Sequence, residues 1–180
     1  MTTYISMLRG INVSGKKLVK MDALRMMYEN LSFLNVRTYV QSDNVVFIYK
    51  DTDVGELEDL IGAEIERCFG FVVPVIVLKK DVLQAIINQN PFANDLSKDE
   101  LYLHVTFLSD KPKEYDKSIF EKGKQSGEEF YFTDIAVYLY LPNGYGRTKL
   151  TNSLFENKLK VMATTRNWKT TKELLKLATQ

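Results

Sequence analysis

Residues 36–50 of the 180-residue chain, VRTYVQSDNVVFIYK, decide the fold. Two runs rich in β-branched and aromatic residues, Val36–Gln41 and Val45–Lys50, are each typical of a β-strand. Between them lies Ser42-Asp43-Asn44, a triplet of turn-forming residues. The stretch therefore predicts a β-hairpin, and its neighbours determine which fold contains it.

On the N-terminal side, residues 4–9 predict a strand, and apolar residues at helical spacing predict an amphipathic helix after it. The residues of that apolar stripe are Leu24, Met27, Tyr28 and Leu31. On the C-terminal side, Asp53 is placed to cap a second helix that Gly70 ends. Its predicted buried stripe is Leu57, Leu60, Ile61, Ile65, Cys68 and Phe69.

Residues 72–78, VVPVIVL, predict a fourth strand and complete the order βαββαβ. This is the order of the ferredoxin-like plait, in which the fourth strand lies at a sheet edge. Pro74 fits such an edge, because a proline there removes no ladder hydrogen bond that a neighbouring strand needs.

The second half repeats this order less clearly. Strands are expected at 101–108, 129–133, 135–141 and 161–164, and helices at 115–122 and 154–159, before a closing helix at 168–178 with Trp168, Leu174, Leu175 and Ala178 inward. We predict an α+β protein of two ferredoxin-like (α-β plait) subdomains in tandem, the second degenerate with an extra C-terminal helix. Their predicted bounds are 1–80 and 81–180, the latter beginning with a linking helix at 81–90, and the two are expected to pack as one unit.

Composition limits the class of protein. The chain is 45% hydrophobic and 26% charged with a net charge of +1, and no apolar run approaches the ~18 residues of a membrane span. We expect a soluble, cytoplasmic protein. One cysteine, Cys68, and one histidine, His104, exclude an internal disulfide and a Cys/His zinc cluster, and we predict no metal site. Both ends of the chain are basic and the middle is acidic, so the ends could together attract an anion.

The stretch Gly10 to Lys17, GINVSGKK, matches the phosphate-loop pattern except at its last position. Lys17 replaces the Ser/Thr hydroxyl that would bind magnesium, and the helical stripe begins only near Leu24. A hairpin then follows, rather than the β-α-β alternation of nucleotide-binding folds. The sequence therefore disfavours a phosphate loop.

Polar residues are expected to meet at one edge of the first sheet. In a βαββαβ plait the first and third strands are antiparallel neighbours, so the end of the first strand approaches the hairpin. The candidate ligand-binding residues there are Arg9, Asn12, Lys16, Ser42 and Asn44. The alternative is that these glycine-containing loops are merely satisfied turns.

The second candidate group comes before the last helix: Thr165, Arg166, Asn167 and Trp168. Asn167 is a fitting N-cap, and the helix N-terminus, the guanidinium and the threonine hydroxyls could together hold an anion. The alternative is a capped helix anchored in the core by Trp168. We expect the two groups to form one shared pocket.

Five motifs in order resemble the bacterial family called domain of unknown function 1697. They are LRGINVSGKK with Met21, VRTYVQSDNVVF, NPFA, LPNGYGRTKL and TTRNWKT. The resemblance implies two α-β plait subdomains and no established activity. It places the family's motif residues on Arg9, Gly10, Asn12, Gly15, Met21, Thr38, Tyr39, Ser42, Asn44, Asn90, Pro91, Phe92, Thr165, Arg166, Asn167, Trp168 and Thr170.

The chain departs from the family pattern at three places. Asp43 stands where the family usually has glycine, Ser14 replaces one of two paired glycines, and Lys17 replaces a common asparagine. The Asp43 change would put a carboxylate into the predicted anion pocket, which would either weaken anion binding or add a ligand for a cation.

Three classes of function follow from these observations. The first is a polar ligand or anion site at a sheet edge, with a small anion as partner and any reaction, catalytic residue or cofactor unspecified. The alternatives are a nucleic-acid-binding module, disfavoured by the net charge of +1 and the missing RNA-binding signature, and a protein-interaction or dimerising module built on an exposed sheet edge. Whether the protein is an enzyme, and its oligomeric state, are not specified by the sequence.

Overall fold

The computed structural model describes residues 1–39 and 44–180. The chain divides into two compact units, one of Met1–Ala85 with Glu173–Gln180 and one of Ile86–Lys172. The predicted boundary lay at residue 80, before the linking helix, whereas the compact units divide five residues later within it.

The first unit contains the predicted βαββαβ order. Its elements are β1 (Thr2–Leu8), α1 (Met21–Asn30), β2 (Leu34–Tyr39), β3 (Asn44–Tyr49), α2 (Val54–Phe69) and β4 (Val75–Lys79). The sheet has the order β2-β3-β1-β4 and every strand pair is antiparallel. The hairpin of β2 and β3 and the edge position of β4 are as predicted.

The second unit repeats this topology. Two helices cross the division between the units, α3 (Lys80–Asn88) and α6 (Trp168–Thr179). Between them lie β5 (Leu103–Leu108), α4 (Ser118–Gly123), β6 (Glu129–Phe132), β7 (Ala136–Tyr140), α5 (Asn152–Leu159) and β8 (Ala163–Asn167). The sheet order β6-β7-β5-β8 is the plait order, which confirms two tandem α-β plaits and the extra terminal helix.

Helix α2 shows how local chemistry fixes an element. The Asp53 carboxylate accepts hydrogen bonds from the backbone N–H groups of Gly55 and Glu56, at 2.9 and 3.3 Å, and so caps the helix. Gly70 ends it in the left-handed conformation at φ +78°, where a side chain would be strained. Both predicted signals are confirmed.

Several sequence-based details were wrong. Cys68 is exposed on α2 rather than part of its buried stripe, and Leu60 is 41% exposed. Pro74 lies just before β4 rather than within it: the strand begins at Val75, which pairs with Leu8, and the Pro74 carbonyl accepts from the Arg9 N–H at 3.1 Å. Of the residues of the closing helix that were predicted to face inward, Leu175 is only half-buried, whereas Trp168, Leu174 and Ala178 are buried.

A carboxylate covers part of the exposed edge of β4. Glu58 on α2 accepts a hydrogen bond from the Val77 backbone N–H at 2.9 Å. Burial raises the pKa of Glu58 from 4.5 to about 7; the Val77 hydrogen bond opposes this, and the charges of Asp59 and Asp53 reinforce it. Between about pH 4.5 and 7, Glu58 is therefore protonated in the native state and ionised in the unfolded chain.

We expect this proton to make stability fall as pH rises across that window. The contribution is full below pH 4.5 and is lost above about pH 7, and we expect about 1 kcal/mol because the carboxyl is partly exposed to solvent. Glu58→Gln keeps an acceptor for Val77 and removes the titration. Urea unfolding at pH 5 and pH 8 measures the change, and we expect the free energy of unfolding to fall less in the variant than in the wild type. Equal falls in the two proteins would show that Glu58 is not the cause. Other titrating groups such as His104 are present in both proteins, so their effects cancel in the comparison.

Candidate functional site

The GINVSGKK loop closes on itself as a small hairpin. Val13 and Lys16 form an isolated antiparallel bridge, and the two residues between them, Ser14 and Gly15, have φ of 51° and 73°. Positive φ at both central residues is the pattern of a type I′ turn. Helix α1 begins only at Met21, so no helix N-terminus follows the turn as it would in a phosphate loop.

Asn12 holds the base of this loop together. Its side-chain Oδ1 accepts from the Val19 N–H at 2.8 Å, and its Nδ2 donates to the Val19 carbonyl at 3.0 Å. The neighbouring Lys17 Nζ donates to the Val72 carbonyl at 2.7 Å, while Lys16 is exposed. These contacts favour a structural role for Asn12, and ligand binding by Asn12 or Lys16 stays a prediction.

The predicted approach of β1 to the hairpin is present. Met7 at the end of β1 pairs with Asn44 at the start of β3, and Asn44 is buried. Arg9, just after β1, is half-buried. Ser42, and with it Asp43, lies outside the described residues, so this part of the predicted site is not described.

In the second unit, Thr165 and Arg166 belong to β8 rather than to a loop. The Thr165 hydroxyl donates to Asn152 Oδ1 at 2.6 Å and lies 2.7 Å from the Thr106 hydroxyl. Arg166 Nη1 donates to the Thr164 hydroxyl and to the Thr165 carbonyl, both at 3.0 Å. These side chains are tied to their own strand and its neighbours.

Asn167 caps α6 as predicted. Its Oδ1 accepts from the Thr170 N–H at 2.8 Å, and its carbonyl accepts from the Thr171 hydroxyl at 3.0 Å. The cap fixes the start of the helix, and therefore the position of Trp168, its first residue.

Trp168 and Asn90 line one pocket of about 410 Å³ in the second unit, within the ~300–1,000 Å³ common for small-molecule sites. Both residues are 3% exposed. Trp168 Nε1 and Asn90 Nδ2 have no hydrogen-bond partner among the residues that the structure describes. Two buried donors thus lack an acceptor at the same pocket, although most buried polar atoms in proteins are paired.

The orientation of the Asn90 amide follows from its other contact. Asn90 Oδ1 accepts from the Phe92 N–H at 3.0 Å, in the turn that Pro91 initiates after α3. Because the oxygen is needed there, the amide cannot be reversed without losing this bond, and the NH2 group is the one left without a partner. Within the described part of the chain, the two buried residues that line this pocket therefore each have one donor without a partner.

Opposite charges lie at the exposed rim of the pocket. Lys172 Nζ and the Glu100 carboxylate form an ion pair at 2.6 Å, with side chains 44% and 57% exposed. Apolar wall is supplied by Ile87 and Ala93. The lining is neutral in total, so the pocket has no net attraction for an anion.

Neither of the reactive side chains singled out by composition lies at this pocket. His104 on β5 is half-buried, its Nδ1 lies 3.2 Å from the Tyr102 carbonyl, and its ring stacks on Tyr145 at 5.3 Å. Burial lowers the pKa of His104, and the Tyr102 contact partly offsets this. Within the described residues, no three His, Cys, Asp or Glu side chains are grouped so as to hold a metal ion.

The sequence identified Trp168 but missed its pocket partners. Asn90 was recognised only as a motif residue after α3, and Glu100 and Lys172 were not singled out. One signal was available: Lys172 follows Trp168 by four residues, which places both on the same helix face. No local pattern indicates that the segment 87–100 reaches that face.

Two four-stranded α-β plaits in tandem define the class of fold to which this protein belongs. The chain belongs to the family described as Protein of unknown function (DUF1697), whose model matches residues 1–138. A search of curated proteins finds no match.

The fold is similar to that of the conserved bacterial protein SP0830 from Streptococcus pneumoniae. The likeness covers 98% of each chain with a TM-score of 0.72 at 24% sequence identity, which speaks for the fold alone. Across the described ranges 1–39 and 44–180, no helix is both long and apolar enough to cross a membrane.

Proposed function

We propose that this protein binds a small polar ligand in the pocket lined by Asn90 and Trp168, at the end of the edge strand β8. The observation that supports it is the pair of buried donors, Asn90 Nδ2 and Trp168 Nε1, without acceptors among the described residues. An unpaired buried donor costs roughly 1–3 kcal/mol, which a ligand oxygen would recover. The ligand must therefore present at least one acceptor oxygen to the buried end.

The surrounding structure is suited to hold these donors in place. The Asn167 cap fixes the start of α6, and the Phe92 N–H fixes the Asn90 amide. Donors that are already oriented lose little entropy when a ligand binds. A contribution from the first-unit residues Arg9, Lys16, Ser42 and Asn44, and a pocket shared with Arg166, stay predictions from the sequence.

A thermal-shift screen tests the proposal. The panel contains amides, carboxylic acids, amino acids, sugars, nucleotides and inorganic phosphate, applied to the wild type and to Trp168→Phe. Phenylalanine removes the Nε1 donor and keeps an aromatic ring. We expect at least one compound class to raise the Tm of the wild type and to lose most of that shift in the variant.

The ligand-free stability of Trp168→Phe provides a second readout. Loss of an unpaired donor stabilises the fold, whereas loss of ring volume destabilises it, so we expect a net change within about 1 kcal/mol. Tyr131→Phe, which alters an aromatic ring that is 53% exposed on β6, is the matched control. Compounds whose shifts survive unchanged in Trp168→Phe would place the binding site elsewhere and overturn the proposal.

A further inference from the structure

The buried and exposed ends of the Asn90–Trp168 pocket differ in chemistry. This difference restricts the ligand further than the requirement for one acceptor oxygen does. The pocket's two buried lining residues, Asn90 and Trp168, each carry a donor, Nδ2 and Nε1, that has no partner among the residues the structure describes. Trp168 is also the first residue of the 12-residue helix α6, so the positive end of the helix dipole lies at this end. A negatively charged oxygen is therefore preferred there over a cation.

The exposed rim carries a carboxylate whose partner can be replaced. Glu100 is bound at 2.6 Å by Lys172, and both side chains are about half exposed. Exposed ion pairs of this kind contribute little net stability, so a competing ligand ammonium can displace Lys172 at small cost. The side chain of Lys172 is 44% exposed, so water can solvate it when it is displaced.

From these two ends we infer that the ligand is a small zwitterion of the amino-acid type. This inference rests on the binding proposed above. Its carboxylate oxygens accept from Asn90 and Trp168, and its ammonium group pairs with Glu100 in place of Lys172. A pocket of about 410 Å³ with Ile87 and Ala93 in its wall has room for a modest side chain. The neutral total charge of the lining favours a ligand of zero net charge over a phosphate or a simple carboxylate.

The test uses three matched compound sets on the intact protein. Free α-amino acids carry both charges, their N-acetyl derivatives lack the ammonium, and their methyl esters lack the carboxylate; inorganic phosphate is the anion control. Affinities are measured by calorimetry. We expect the free amino acids to bind, and each blocked derivative to bind at least tenfold more weakly.

Two rim variants separate a zwitterion from an anion by the sign of their effects. Glu100→Gln removes the partner of the ammonium, and we expect affinity for the free amino acid to fall at least tenfold. Lys172→Met removes the competitor for Glu100, and we expect affinity to rise about threefold or more. An anion site gives the reverse signs, because loss of Lys172 weakens anion binding and loss of Glu100 strengthens it.

The outcomes distinguish this inference from the proposed function. If N-acetyl amino acids or phosphate bind as well as free amino acids, or if Lys172→Met weakens binding, the zwitterion assignment is overturned while the pocket remains the site. The assignment also fails if no free amino acid binds. The pocket itself is overturned when bound compounds are indifferent to Trp168→Phe.

Discussion

Phe120→Ala is expected to lower the free energy of unfolding of the second unit by about 3–5 kcal/mol. Phe120 is fully buried, and it is the one buried residue of the six-residue helix α4. Its ring is surrounded by four others with centroid distances between 5.1 and 6.3 Å, those of Tyr115, Phe130, Phe132 and Phe155. Alanine leaves a cavity that these rigid rings cannot fill.

Urea unfolding followed by Trp168 fluorescence measures this effect, because the only tryptophan of the chain lies in the same unit. Tyr131→Ala is the matched control: it also removes an aromatic ring from the second unit, but one on β6 that is 53% exposed. We expect the control to cost less than about 1 kcal/mol. Similar losses in the two variants would contradict the assignment of Phe120 as the centre of this core.

Asn90→Asp is expected to weaken ligand binding at least tenfold. The aspartate side chain keeps an acceptor for the Phe92 N–H, which Asn90 binds at 3.0 Å. It replaces the Nδ2 donor by an oxygen, which repels the ligand oxygen instead of binding it. A hydrogen bond to a charged oxygen contributes roughly 1.5–3 kcal/mol, equivalent to about a tenfold to hundredfold change in affinity.

Calorimetric titration with any compound that stabilises the wild type measures this loss. Asn94→Asp adds the same charge at an exposed residue of the same pocket and leaves both buried donors intact. We expect this control not to weaken the binding of a zwitterion. Unchanged affinity in a folded Asn90→Asp protein, shown by an unchanged circular dichroism spectrum, would exclude Nδ2 as a ligand-binding donor.

The elements of the fold were largely predictable because their signals are local. The turn-forming triplet between two β-branched runs predicts the hairpin, and Asp53 and Gly70 mark both ends of α2. Non-local pairing was not predictable in the same way. Strand β8 extends to Asn167 because His104 on β5 provides its partner there, which no pattern within β8 indicates.

Burial depends on the same non-local information. Helical spacing groups Cys68 with Ile61 and Ile65, yet those two are buried and Cys68 is exposed beside Glu64. The predicted apolar stripe of α2 contains more residues than the neighbouring structure buries. Periodicity predicts which face of a helix is buried but not how far the cover extends.

The candidate site shows the same limit. The Asn167 cap was predictable, since a short amide before a helical stripe is a local signal. The meeting of Asn90 with Trp168, and of Glu100 with Lys172, joins segments that only tertiary structure brings together. A lone tryptophan on an apolar helix face indicates a core anchor, and nothing in the sequence predicts that its Nε1 has no partner within the described part of the chain.

The most direct test of ligand binding at this pocket is the indole N–H signal of Trp168. The chain has one tryptophan, so a nitrogen-15 correlation spectrum contains one indole resonance. We expect this resonance to move downfield and saturate as a free amino acid, or another compound that stabilises the protein, is titrated, because Nε1 gains an acceptor. An indole resonance that stays in place while such a compound binds would contradict the pocket of Asn90 and Trp168 as the ligand site.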